Sequence, residues 1–166
     1  MHRNNLLKLL EEYIATPEEK IFKEDMLKFI KANDNCFERE LEIGHMTGSA
    51  LLLNKAGDKV LLMHHMKLDR WFQLGGHADG DTDILAVAIK EAQEESGINH
   101  IEAVKEEIFD VDVHLIPENS KDKEHFHYDV RFLLQVKSDE EVKDNRESKE
   151  LRWVSLDIDK LPTDEP

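Results

Sequence analysis

Cysteine is almost missing from this chain. Cys36 is the single one in 166 residues, so no intrachain disulfide can form, and a reducing cytoplasm is the simplest compartment. Long hydrophobic runs are missing too: no stretch approaches the roughly 18 apolar residues of a membrane span. The opening MHRNNLLKLLEEYI is too charged for a signal peptide and has no cleavage pattern. Positive charge is scarce, with 22 Lys and Arg against 37 Asp and Glu and a formal net charge of −15. No basic stripe compensates, which argues against binding nucleic-acid polymers. An anionic ligand must then be met by local basic groups or by a cation. There is no internal repeat and no low-complexity tract. What remains is one domain's worth of chain, large enough for a core and 40% hydrophobic, as in a soluble globular protein.

Within it, the stretch from Gly75 to Ile98, GGHADGDTDILAVAIKEAQEESGI, is the most informative. Aliphatic residues at helical spacing, no proline and a glycine stop predict a helix over Asp83 to Ser96, closed by Gly97. Thr82 or Asp81 can cap its start. At about 100° per residue, Ile84, Ala88, Glu91 and Glu95 share one narrow sector. Leu85, Ile89 and Ala92 lie to one side of it, Val87 and Glu94 to the other. Lys90, Gln93 and Ala86 form the back. The glutamates therefore border the apolar face instead of opposing it. Neighbours at this spacing stand roughly 5–6 Å apart at Cβ. In a cleft of effective dielectric near 20 their repulsion is about 3 kcal/mol per pair. A half-buried trio of this kind needs a cation, and carboxylates are hard ligands suited to Mg²⁺ or Mn²⁺. The bland alternative is a solvated acidic face.

Gly76 and the run Lys90-Glu91-Ala92-Gln93-Glu94-Glu95-Ser96-Gly97-Ile98 resemble the Nudix hydrolase box, Gx5Ex7REUxEExGU, with U aliphatic. The register holds from Gly76 to Ile98 without a gap. Two positions depart: the box's first glutamate is Thr82 here, and its arginine is Lys90. The resemblance implies an α/β fold, an α/β/α sandwich around a mixed sheet. It places the domain at residues 45–166, with residues 1–44 as an N-terminal helical extension. It implies metal-dependent cleavage of a phosphoanhydride in a nucleoside diphosphate linked to another group. Glu91, Glu94 and Glu95 would be the catalytic residues. They would hold Mg²⁺ or Mn²⁺ together with the Gly75 main-chain carbonyl. In the family the box arginine helps position a catalytic glutamate. Lys90 keeps that charge without the fork geometry, and the neighbouring acids Asp79, Asp81 and Asp83 are available in place of the missing carboxylate. The departures leave a second reading open, a Nudix-fold sensor that binds nucleotide with little turnover.

The rest of the chain reads around this centre. Asn5 to Ile14 predicts a short amphipathic helix. Thr16 as N-cap and Pro17 at the first turn restart a second helix that runs to about Ala32. These helices pack on the core or serve as a homodimer contact or cleft wall. Strands are predicted for Gly48 to Asn54, Lys59 to Met63 and Glu150 to Val154, and Leu156 to Leu161 reads as a closing turn. Phe109, Val111, Val113 and Leu115 alternate with polar residues. So do Phe126, Tyr128, Val130 and Phe132, whose alternates are His125, His127, Asp129 and Arg131. The apolar sets are expected in the core. The polar row is expected to line a cleft, with His127, Asp129 and Arg131 as substrate-binding candidates and Lys67 as a further phosphate contact. A third reading takes His77, His114, His125 and His127 as a transition-metal site, since two histidines at i, i+2 on a strand can share an ion. The expected partner is a nucleotide-like small molecule.

Overall fold

A computed structural model describes residues 2–157. Its elements are α1 (Asn4–Glu12), α2 (Lys20–Ala32), β1 (Gly44–Leu53), β2 (Lys59–His65), β3 (Trp71–Phe72), β4 (Leu74–His77), α3 (Ile84–Ser96), β5 (Ile101–Ala103), β6 (Asp110–Ile116), β7 (His125–Val136) and β8 (Ser148–Ser155). The centre of the sheet is a parallel pair, β1 and β7, in register from Gly44↔Phe126 to Leu53↔Gln135. On the outer side of β1, β4 pairs antiparallel with its first half, and β2 meets its end at Leu53↔Val60. On the outer side of β7, β6 and β5 follow one another, both antiparallel. β8 and β3 extend the sheet from β2. The result is a mixed, curled α/β sheet.

β1 is built from small and aliphatic residues, GHMTGSALLL, because it is covered on both faces. At Gly48 the reason is a close approach. A Cβ there would stand 2.9 Å from the Ile84 carbonyl and 3.1 Å from the Val87 side chain. α3 thus lies directly on the even-numbered face of β1, where Met46, Ala50 and Leu52 are buried. Val130 and Phe132 of β7 share that face by register. The odd-numbered residues of β1 and β7 point to the reverse face.

α3 covers the span predicted for it, with one change at its start. Asp83, not Thr82 or Asp81, caps it by accepting from Ala86 N at 3.1 Å, while Asp81 accepts from Asp83 N. Gly97 closes it in the left-handed region at φ 73°. The second helix starts later than predicted. Thr16 Oγ1 accepts from Glu19 N, and the Glu19 carboxylate accepts from Thr16 N. This reciprocal box precedes α2 and does not cap its first α-helical turn. Both N-terminal helices belong to the main core: Leu6, Leu10, Met26, Phe29 and Ile30 are buried in one cluster with Met46, Ala50 and Phe132.

Three expected core residues are exposed: Phe109, Leu115 and Phe126, at 49, 45 and 42%. Alternation assigns Phe126 to the helix face correctly, but cover ends before it. Phe29 of α2 stacks on Tyr128 with ring centroids 3.9 Å apart, and the ends of β6 and β7 beyond Tyr128 are bare. Strand β1 also begins earlier than predicted, at Gly44, because it pairs with β7 from its first residue. β8 runs from Ser148 to Ser155, longer at both ends than expected. The remainder of the closing turn predicted to Leu161 lies outside the described residues.

Candidate active site

The glutamates meet the glycines at the outer edge of β4. That strand pairs with β1, and no strand borders its other edge among the described residues. Gly75 N donates to Glu95 Oε2 at 3.0 Å. At Gly76 a Cβ would overlap the Glu91 carboxyl group, so glycine is required for the helix acids to approach the strand. At Gly75 a Cβ would collide with Ser49 on the reverse side. The pair of glycines thus opens both faces of β4 at one point.

The three glutamates are not equivalent. Glu95 is buried and Glu91 half-buried, while Glu94 is exposed, with Lys90 Nζ 4.0 Å from its carboxylate. Burial, then the like charges of Glu91, Glu147 and Glu94, push Glu95 up to about 8 against the opposing Gly75 N–H. Glu91 is raised by burial and by Glu94. The charge of Glu147 acts on both acids, and sequence reasoning missed it. It sits in the charged loop before β8, far from the box in sequence, and no spacing rule points to it. Asn145 ties that loop to the helix, donating to the Glu95 carbonyl at 2.6 Å and accepting from Glu147 N at 2.9 Å.

The acids of the box loop have structural partners. Asp79 pairs with Arg39 through two hydrogen bonds of 2.6 Å. Asp81 and Asp83 are engaged at the start of α3. Gly80 N donates to the Phe37 carbonyl. The segment between α2 and β1 therefore clamps the loop that leads into α3.

The polar row of β7 lies on the reverse face, reached through Ser49 and Gly75. Asp129 is 3% exposed and accepts from Thr47 and Ser49 hydroxyls, both at 2.7 Å. Its other oxygen takes Arg131 Nε at 3.0 Å. Arg131 also pairs with Asp110 at 2.7 Å and Asp112 at 3.4 Å, so three carboxylates surround its guanidinium. His127 stands further along the same row, within a group of histidines. Across the sheet His77 of β4, His45 of β1, His127 of β7 and His114 of β6 are near neighbours by register. Burial and the surrounding imidazoles push His45 down to about 4 and His127 to about 2. His45 was absent from the sequence-based set. Its signal was its place at the start of a strand whose odd residues share a face with His127.

With the geometry in place, comparison with known proteins gives the class. The family model described as the NUDIX domain matches residues 45–165, and the chain belongs to the Nudix family. A search for sequence relatives among curated proteins finds no match. Among solved structures, an Ap4A hydrolase from C. elegans, in a binary complex, superposes with a TM-score of 0.52 at 19% identity, covering 67% of this chain and 80% of its own. The Nudix hydrolase RenU from M. smegmatis gives 0.52 at 22% identity, over 72% and 77%. An ADP-ribose pyrophosphatase from Streptococcus suis gives 0.51 at 23% identity, over 71% and 77%. Likeness at these identities speaks for the fold. The chain is thus of the Nudix hydrolase family, with pyrophosphatases among its structural neighbours.

Proposed function

We propose that this protein is a metal-dependent hydrolase that cleaves a phosphoanhydride bond in a nucleoside diphosphate linked to another group. The observation that carries this reading is buried Glu95 with half-buried Glu91 against the glycines of β4. Two acids whose charges burial and neighbouring carboxylates disfavour form a donor set that a cation would stabilise. Oxygen donors alone fit Mg²⁺ or Mn²⁺. Glu91, Glu95 and the Gly75 carbonyl would hold the ion, with Glu94 at the exposed rim. Bound there, it would neutralise phosphate charge and acidify water.

The chain's own groups supply the rest. The Gly75 N–H fixes the orientation of the Glu95 carboxyl group. The box glycines let the Glu91 carboxyl group stand directly against β4. Glu147, exposed and on a loop tied to α3, is our candidate for taking the proton from the attacking water. On the reverse face, His127, Asp129 and Arg131 are proposed to line the rest of the substrate. Arg131 is already neutralised by three carboxylates, so this row suits hydrogen bonding to uncharged polar groups better than clamping a phosphate.

The test is a screen of nucleotide sugars, ADP-ribose, dinucleotides, diadenosine polyphosphates and nucleoside triphosphates with Mg²⁺ or Mn²⁺. Release of a nucleoside monophosphate or of phosphate supports the hydrolase. The departures at Thr82 and Lys90 favour one alternative, a nucleotide sensor. Thermal stabilisation by a nucleotide and metal, with no product from any compound, would establish that instead.

A further inference from the structure

The reverse face of the sheet carries a group of histidine rings, of which the proposed substrate row draws on His127 alone. His45 contacts three other histidines, with centroids 4.9 Å from His77, 4.9 Å from His125 and 5.0 Å from His127. His77 and His127 are 5.0 Å apart. One nitrogen from each of His45, His77 and His127 lies within 4.8 Å of the others. His45 is 4% exposed, and neither of its ring nitrogens has a hydrogen-bond partner. A buried imidazole with both nitrogens unpartnered loses the hydrogen bonds it had in water, a cost on the order of 1–3 kcal/mol per group. A sheet that buries such a ring among three more needs something to satisfy its nitrogens.

We propose that His45, His77 and His127 form a site for a nitrogen-preferring transition metal of the zinc class. It is separate from the hard-cation site at the glutamates. Imidazole nitrogens suit zinc, copper or nickel and are poor ligands for magnesium. Nitrogen ligands of a tetrahedral zinc, at about 2.0–2.1 Å from the ion, stand roughly 3.3 Å from one another. His125 offers a nitrogen for a fourth position: its Nε2 is 3.2 Å from Nε2 of His127. Its Nδ1 faces the Lys123 carbonyl at 2.7 Å. A proton on Nδ1 satisfies that contact and leaves the Nε2 lone pair directed into the group, the arrangement by which a carbonyl orients a metal-binding histidine. The ligands come from the start of β1, the end of β4 and the start of β7. An ion here would pin three strands to one another at their ends. Register separates the two sites. His77 pairs with Thr47 on the reverse face, whereas Gly76 faces Glu91 on the α3 side.

The test uses full-length protein without a polyhistidine tag, in excess Mg²⁺ so that the glutamate site is saturated. Co²⁺ is titrated in while the visible absorption of a four-coordinate, nitrogen-ligated ion is followed. We expect saturation at one equivalent and displacement of the bands by Zn²⁺. The double variant Glu91→Gln/Glu95→Gln should keep the bands. His77→Gln and His127→Gln should each weaken Co²⁺ binding at least tenfold. X-ray absorption of the zinc-loaded wild type needs no variant and guards against a histidine variant that fails to fold. A first shell with imidazole scattering agrees with the site. An oxygen-only shell, no saturable bands, or bands that vanish with the glutamates and survive both histidine variants would overturn it.

Discussion

Glu95 is an acid held where its charge is unwelcome, and this has a pH signature. Its folded pKa is about 8 against an ordinary value of 4.5. Below the lower value it is neutral in both states, and its contribution to stability is complete. As pH rises toward 8 the unfolded chain ionises and the folded one does not, so stability is lost, by up to about 1.4 kcal/mol per pH unit. In EDTA, the melting temperature of Glu95→Gln minus that of wild type should therefore grow from pH 5 to pH 8. A difference that stays flat would mean that Glu95 is not buried as described. Gly76→Ala acts on the neighbouring acid: the new methyl group displaces the Glu91 carboxylate, the flexible end of a side chain. The fold should survive with a melting temperature within a few degrees of wild type. Turnover should fall about 100-fold, as for a misplaced catalytic group. Lys90 is exposed and only 4.0 Å from Glu94, so Lys90→Arg should change stability by less than about 0.5 kcal/mol and leave turnover intact. The box residues were legible in the sequence because their spacing is local. Glu147 and His45 were not, because the sheet and a loop bring them in from far along the chain.

At the scale of elements, α3 was readable almost to the residue. Its periodicity, its acids and its Gly97 stop all belong to one local rule. Its N-cap was displaced by two hydrogen bonds at Asp81 and Asp83 that ranking of cap residues does not reveal. β7 was half-readable. Alternation sorted its faces correctly, yet it says nothing of where helix cover ends, and Phe126 was misjudged for that reason. The loop before β8 gave no periodic signal at all, although Asn145 fastens it to α3. That fastening is testable. Asn145→Ala removes a hydrogen bond to the Glu95 carbonyl and two that Asn145 accepts, from Glu147 N and Ser148 N. At about 1 kcal/mol for each bond, the loss should be roughly 1–3 kcal/mol in denaturant unfolding. Turnover should fall more than substrate affinity, since the loop carries Glu147. Unchanged kcat would remove Glu147 from the mechanism.

For the whole molecule, the N-terminal helices are part of the core and not an attachment to it. Leu6, Leu10, Met26, Phe29 and Ile30 share a cluster with the central strands, and each such side chain stabilises by about 1.5–3 kcal/mol on burial. Together that is on the order of 10 kcal/mol, comparable with the whole stability of a domain. The segment after α2 also clamps the box loop through Arg39 and Phe37. Removing residues 2–43 should therefore leave a chain that does not melt cooperatively. A truncated protein with the wild-type transition would show the helices to be dispensable. Their amphipathic pattern was visible in the sequence, but what they pack against was not, since one apolar stripe fits a core, a cleft wall or a second copy equally well.

The central claim is that Glu91 and Glu95 hold a hard cation that phosphoanhydride cleavage depends on, and one comparison tests it most directly. Wild type and Glu95→Gln are melted with and without Mg²⁺, and each is assayed on a substrate that wild type accepts. Without metal the variant should match or exceed wild type, because glutamine needs no proton taken up on folding to stay neutral in that buried site. With Mg²⁺ it should gain less than wild type does, and its turnover should fall by orders of magnitude. A Glu95→Gln protein with the wild-type response to Mg²⁺ and the wild-type rate would contradict the account.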